Sequence, residues 1–296
     1  MATTIDVNAG AVKELRDKTG AGMMQCKKAL QESKGDIEAA VDYLRKQGQV
    51  QAGKRVDRTA KEGKIACHLE GNSAVMLELN SETDFVARNE DFNAFVGTLI
   101  KVATAVKPKD GATLLDSAHP VIGNKTVKEA LTEKIAVIGE NMSLRRACTV
   151  EQTPGTKLFS YIHMGGKLGV LMRLKVTPEA AFNDPKILEM GKDLCLHICA
   201  SGPLAIDSTG IPQAKIDKEK EIYRDMAKQE GKPEKILDKI VQGRVEKFYK
   251  ENCLLNQLFV KDQEKTVQQY MDEVVKSVGA QAVVEAFVRY QLGVED

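Results

Sequence analysis

Aromatic residues make up only 5% of this 296-residue chain, and tryptophan is absent. A core built with so few rings has to be mainly aliphatic, so an aromatic placed at a turn calls for an account. Nor is there an excess of one charge: 43 Lys and Arg stand against 42 Asp and Glu. Affinity for nucleic acid draws on surplus cations, so this balance excludes a chain whose main work is wrapping phosphates, though not a local basic patch. No apolar run approaches the roughly 20 residues that a membrane span needs. The opening Met1-Ala2-Thr3-Thr4-Ile5-Asp6 lacks both the charged-then-apolar build of a secretory signal and the Arg and Ser of a transit peptide. The reading is a soluble cytosolic protein.

Catalytic motifs are missing as well. There is no GxSxG, P-loop, GxGxxG or HExxH, and His68, His119, His163 and His197 are not spaced as metal ligands. The six cysteines show no paired CxxC units, which fits reduced, buried thiols better than a disulfide frame. Cys195-Leu196-His197-Ile198-Cys199 has the look of a metal cluster. On a helix, however, Cys195 and Cys199 share a face that His197 leaves, and no further ligands adjoin. No metal, no cofactor and no catalytic residue are therefore expected. Binding through exposed apolar residues on turns is the stronger class.

What is present is a change of period along the chain. Residues 1–48 read as three short helices, with Asn8 and Asp36 as caps and Gly20, Gly35 and Gly48 as stops. The adjacent Met23 and Met24 cannot both face so small a core, so at least one is expected outside as a soft contact, unless both are partly buried staples. The polar, basic stretch 49–64 reads as a linker or a solvated helical extension.

From Lys64 the period becomes two. A hairpin turning at Gly71-Asn72 precedes a helix from about Asp91 and another over Val127–Gly139, and a strand then runs over Arg145–Glu151. Hairpin then helix recurs, with strands on either side of Gly165-Gly166 and a helix over Pro185–Ala200. The fold class is α+β: a three-helix unit, then two related halves, each an antiparallel sheet with helices on one face. The boundaries fall at 1–54, 55–152 and 153–296. An insert at 213–250 forms a charged helical hairpin, zipped by Ile216, Ile222 and Met226 against Ile236, Ile240 and Val245 and projecting from the body.

Between the first hairpin and its helix lies Thr83-Asp84-Phe85-Val86. Spacing alone favours a helix start, with Thr83 or Asp84 as cap and Phe85 as a buried anchor beneath it. The runs Val12 to Leu30 (VKELRDKTGAGMMQCKKAL), Gly35-Asp36-Ile37-Glu38, Thr83 to Arg88 (TDFVAR) and Ile138 to Arg146 (IGENMSLRR) resemble the elongation factor Ts family, in the same order and over essentially the whole chain.

The resemblance implies a ubiquitin-associated-like N-terminal domain, a protruding coiled coil at 213–250, and guanine-nucleotide exchange on elongation factor Tu without enzymatic chemistry. It implies that Asp84 and Phe85, within Thr83 to Val86, intrude on the partner's nucleotide domain and its Mg²⁺ surroundings. It further implies partner contacts at Met23, Met24, Ile138, Gly139 and His163, with His163 equally readable as a hydrogen-bonded structural histidine. Direct nucleic-acid or membrane binding is not implied, and the complex is either one-to-one or a dimer of heterodimers. Longer family members continue past the last strand, so the chain's end at Val294-Glu295-Asp296 leaves that contact missing or replaced. Two other readings stand beside it: a ubiquitin-binding adaptor built on the first three helices, and a metal enzyme using Cys195, His197 and Cys199.

Overall fold

The computed structural model describes residues 7–55 and 57–294, apart from the side chains at 49 and 51. Helices α1 (Ala9–Thr19), α2 (Met23–Glu32) and α3 (Ile37–Gly53) come first. Asn8 Oδ1 accepts from Gly10 N at 2.8 Å, and Asp36 Oδ1 from Ala39 N at 3.0 Å, which pairs amides that a helix start leaves open. Val12, Leu15, Cys26, Ala29, Leu30 and Ala40 close the small core between them. The third helix does not stop at Gly48 but runs on to Gly53, so the first residues of the 49–64 stretch form the helical extension, one of the two readings of that stretch. Gly48 is a point of close approach rather than a stop: a Cβ there would lie 2.7 Å from the Ala136 side chain.

The first half holds β1 (Glu62–Glu70), β2 (Ser73–Ser81), α4 (Asp84–Arg88), α5 (Glu90–Val106), α6 (Gly111–Asp116), α7 (Val127–Ile138) and β3 (Met142–Glu151). The second holds β4 (Thr156–His163), β5 (Leu168–Thr177), a 3₁₀ turn at Glu179–Asn183, α8 (Pro185–Ser201), α9 (Gln213–Gln229) and α10 (Glu234–Asn252). A small ribbon, β6 (Leu258–Phe259) and β7 (Asp262–Thr266), then leads to α11 (Val267–Val278) and β8 (Gln281–Gln291). The sheets are antiparallel in the orders β1-β2-β3 and β4-β5-β8. In both, a hairpin is followed by helices and then by a strand that returns beside the hairpin's second strand. Both returning pairs slip register at the matching step, between Glu78 and Leu79 and between Arg173 and Leu174.

Alternation along the central strands shows how the halves meet. Val75, Leu77 and Leu79 of β2 pack under α5 and α7 with Phe92, Phe95, Leu99 and Leu131, while Ala74 and Met76 point the other way. In β5, Val170, Met172 and Leu174 pack under α8 and α11, and Leu171 points away. Ala74, Met76 and Leu171 meet Ile65, Leu158 and Tyr290 in a further core between the two sheets. The architecture is thus helix, sheet, sheet, helix, and all nine residues of β2 are buried.

On the same inner face the Glu78 carboxylate accepts from Arg146 Nε at 2.8 Å, Asn80 Nδ2 at 3.0 Å and Gly293 N at 2.9 Å. The Arg146 guanidinium lies 4.1 Å over the Tyr290 ring. This ion pair, buried and hydrogen-bonded, ties the first sheet to the end of the second.

Helix α9 packs against α10, as the charged amphipathic pattern predicts, but the seam differs. Ile216 and Val245 are buried in it, together with Ala227, Leu237, Val241 and Phe248. Ile222, Met226 and Ile236 lie on the exposed side. The two helices meet on a face turned by about one residue, roughly 100°, from the predicted one.

Candidate partner-binding surface

Strand β2 delivers the chain directly to α4. Thr83 caps it, its Oγ1 accepting from Val86 N at 3.3 Å, as the spacing suggests. Val86 packs half-buried against the first-half core, and Phe85 turns outward with 81% of its surface exposed. The expected cap is present, but the expected buried anchor is not. On a single helical turn adjacent residues point about 100° apart, so Val86 can take the inward position only if Phe85 leaves it.

The turn is held from several sides. Thr83 donates through Oγ1 to Glu140 Oε1 at 2.8 Å and through its backbone N to Glu140 Oε2 at 3.1 Å. Ser81 Oγ donates to Thr83 O at 2.9 Å, and Glu82 Oε1 accepts from Asn141 N at 2.6 Å. At the far end Asn93 Nδ2 donates to Ala87 O and Asn89 O at 3.1 and 2.8 Å, and Asn93 Oδ1 accepts from Lys64 Nζ at 2.6 Å. Asp84, half-exposed in the first turn, is paired with Arg88 at 2.7 Å. The result is a rigid mount that presents one aromatic ring and one carboxylate to solvent.

Ile138 and Gly139 lie beside this mount, because Glu140 follows them directly. Ile138 is half-buried against the first-half core, and Gly139 ends α7 in a left-handed conformation with φ 89°. Met23 and Met24 are both exposed, at 60% and 74%, so neither serves as a staple. They begin α2, whose bundle sits on α7: Arg45 reaches Glu129 and Glu133 at 3.7 and 3.6 Å.

His163 ends β4 in the second half, exposed, with Nδ1 3.0 Å from Tyr161 Oη and the two rings stacked 5.8 Å apart. It approaches the mount through the hairpin turn that follows it. Ile65 N donates to Gly166 O at 2.8 Å, and a Cβ on Gly166 would lie 2.5 Å from Lys64 Cγ, so only glycine fits where the turn meets β1. Lys64 is the residue that holds Asn93 under α4.

Glu140 and Asn93 hold the turn although neither stands among the residues expected at the site. A carboxylate directly after a helix-ending glycine, and an amide three residues beyond Glu90 at a helix start, were signals for both. His197 is buried in α8 as a neutral ring: its Nδ1 accepts from Val260 N at 3.2 Å and its Nε2 faces Gln257 Oε1 at 3.0 Å. Burial holds its pKa below the usual histidine range and pushes the Cys195 thiol up. Among the described residues no group of three or more His, Cys, Asp or Glu is placed to hold a metal ion, and no helix is long and apolar enough to cross a membrane.

A family model described as Elongation factor TS matches residues 82–294, a span that opens at the Thr83 turn. Elongation factor Ts of Clostridium botulinum strain Alaska E43 is 45% identical over 289 residues, covering 97% of this chain and 93% of the relative. The chain belongs to the elongation factor Ts family. The corresponding protein of strain Eklund 17B shows the same identity and coverage, and that of strain ATCC 19397 is 43% identical over 97% of this chain and 92% of the relative. These relatives are matched along the three-helix bundle as well as both sheets.

Proposed function

We propose that this chain carries out its family's work, guanine-nucleotide exchange on elongation factor Tu, and that Thr83 to Val86 is the part that loosens the nucleotide. The single observation that carries this reading is Phe85, exposed on a turn braced from both ends. A side chain that the fold neither needs nor hides is available for a partner.

The mechanism follows from linkage. When the factor and GDP each bind the GTPase well but together bind poorly, each weakens the other by the same factor. Phe85 enters between elements of the nucleotide domain, and Asp84 lies where it disturbs the ligands of Mg²⁺. That ion bridges phosphate oxygens with few protein ligands, so a small displacement removes much of the nucleotide's hold. Burying one Phe yields roughly 1.5–3 kcal/mol, or one to two decades in an equilibrium constant. That is too little to displace a tightly held nucleotide, so Met23, Met24, Ile138, Gly139 and His163 supply the remaining binding energy.

Labelled-GDP release from elongation factor Tu, measured over a range of factor concentration, tests this. Phe85→Ala should lower the saturated release rate at least tenfold; a rate equal to that of the unmodified chain would sink the wedge. In the same assay a chain starting at Lys54 should need much more protein for half-saturation and keep its saturated rate, if the bundle docks and the core exchanges. Light scattering on the complex reads one pair against the two pairs of a dimer of heterodimers.

A further inference from the structure

Four non-glycine residues among those described have positive φ: Lys34, Lys107, Asn124 and Met164. The first three are polar. Met164 is the apolar one, with φ 48°, and 71% of its surface is exposed. In the left-handed region a Cβ crowds the following carbonyl, so glycine is the residue the backbone prefers there. Gly165 and Gly166, the next two residues, do occupy positive φ as glycines. The backbone at Met164 therefore gains nothing from its side chain. The core gains nothing either, since the side chain is in solvent.

The turn that carries Met164 is nevertheless held firmly. Gly166 N and Lys167 N both donate to His163 O at 3.1 Å, Leu292 N donates to Lys167 O at 2.9 Å, and Ile65 N donates to Gly166 O at 2.8 Å. Lys167 is paired with Glu62. Through Lys64 and Asn93 the turn is only two side chains away from α4, the mount of Phe85. A flexible, polarisable side chain on a rigid turn is suited to filling an irregular apolar depression on another protein.

We infer that Met164 is a second presented contact for the GTPase, one that sets affinity and takes no part in displacing the nucleotide. The inference rests on the exchange reading above. The occupant of this surface is elongation factor Tu itself, because the turn adjoins the mount that faces it. His163, stacked on Tyr161, forms the polar side of the same contact. Phe85 and Met164 thus divide the work, one acting on the bound nucleotide and the other on residence.

The test uses the full-length chain in the GDP-release assay. Met164→Gly removes the side chain and relieves the backbone at once. It should raise the half-saturating concentration about tenfold, leave the saturated rate within twofold, and hold or raise the thermal midpoint. A structural role would instead lower the midpoint. Met164→Asp should weaken half-saturation further, and Met164→Leu should stay within threefold of the unmodified chain. If the unmodified chain stimulates release and Met164→Gly and Met164→Asp match it at every concentration, this inference alone falls. A drop in the saturated rate with unchanged half-saturation also overturns it. If the unmodified chain does not stimulate release, the exchange reading falls and takes this one with it.

Discussion

The two halves of the core arrive at the same place and treat it in opposite ways. In each, the middle strand of the sheet ends, a five-residue helical turn follows, and a 17-residue helix covers the sheet. Each turn carries one phenylalanine. Phe85 is 81% exposed and Phe182 is 9% exposed, packed among Ile187, Met190 and Leu194 with Lys157 Nζ 5.8 Å from its ring centre. Phe85 is the second residue of its turn and Phe182 the fourth. Successive residues point about 100° apart in the α-helical turn and about 120° apart in the 3₁₀ turn, so a shift of two positions carries a side chain to the far side of its turn, which is the difference between solvent and core. The second half shows what such a turn does when it serves only the fold, so exposure in the first half is not a demand of the architecture. The first half also braces its turn with Glu140.

The comparison can be broken most sharply by exchanging losses. Phe182→Ala should destabilise the chain by about 3 kcal/mol, the usual range for truncating a buried ring, and lower its thermal midpoint by several degrees. Phe85→Ala should stay within about 0.5 kcal/mol of the parent while abolishing most of the stimulated GDP release. Equal midpoints for the two variants would show that the turns do not differ in kind. Next in size, Glu140→Ala removes both hydrogen bonds to Thr83. It should reduce stimulated release about three- to tenfold while shifting stability by about 1 kcal/mol; release at the parent rate would mean that the mount needs no brace.

The smallest effect concerns polarity. The face of α5 on the first core is apolar, whereas α8 buries His197 and Asp193. Burial, only partly offset by the Gln257 hydrogen bond, depresses the folded pKa of His197. Below about pH 6.5 the unfolded chain takes up a proton that the folded ring refuses, so stability falls as pH drops through that value. His197→Asn should flatten this fall between about pH 7 and 5.5, as read by thermal midpoints at each pH. A slope unchanged by the substitution would place the sensitivity elsewhere.

Much of this was legible in the chain. Caps at Asn8, Asp36 and Thr83, the two hairpins, and the repeat of hairpin and helix follow from local chemistry that tertiary packing did not override. The burial of β2 on both faces is written in Ala74-Val75-Met76-Leu77, an unbroken apolar run, whereas a period of two by itself marks only one buried face. Gly48 looked like a stop because its neighbour across the helix, Ala136, is 88 residues away in sequence. The exposure of Phe85 and Met164 could not be read from spacing, and for Met23 and Met24 the size of the bundle's core required only that one of them be outside. A side chain is exposed when no other element covers it, and that depends on the placement of every other element. The hairpin seam failed for a smaller reason: several apolar residues on α9 and α10 allow two faces, and the charges between them do not choose.

One consequence follows from β2, the strand flanked by partners on both edges and covered on both faces. Its amides are expected to exchange with solvent deuterium only through global opening, whereas α4, though braced, is a single turn with no fully buried residue and is expected to exchange faster. Between Leu79 and Arg88, nine residues apart, the protection profile should therefore fall well below its maximum. Hydrogen-exchange mass spectrometry would see this as one of the steepest steps along the chain, and binding of the GTPase should flatten it from the α4 side alone.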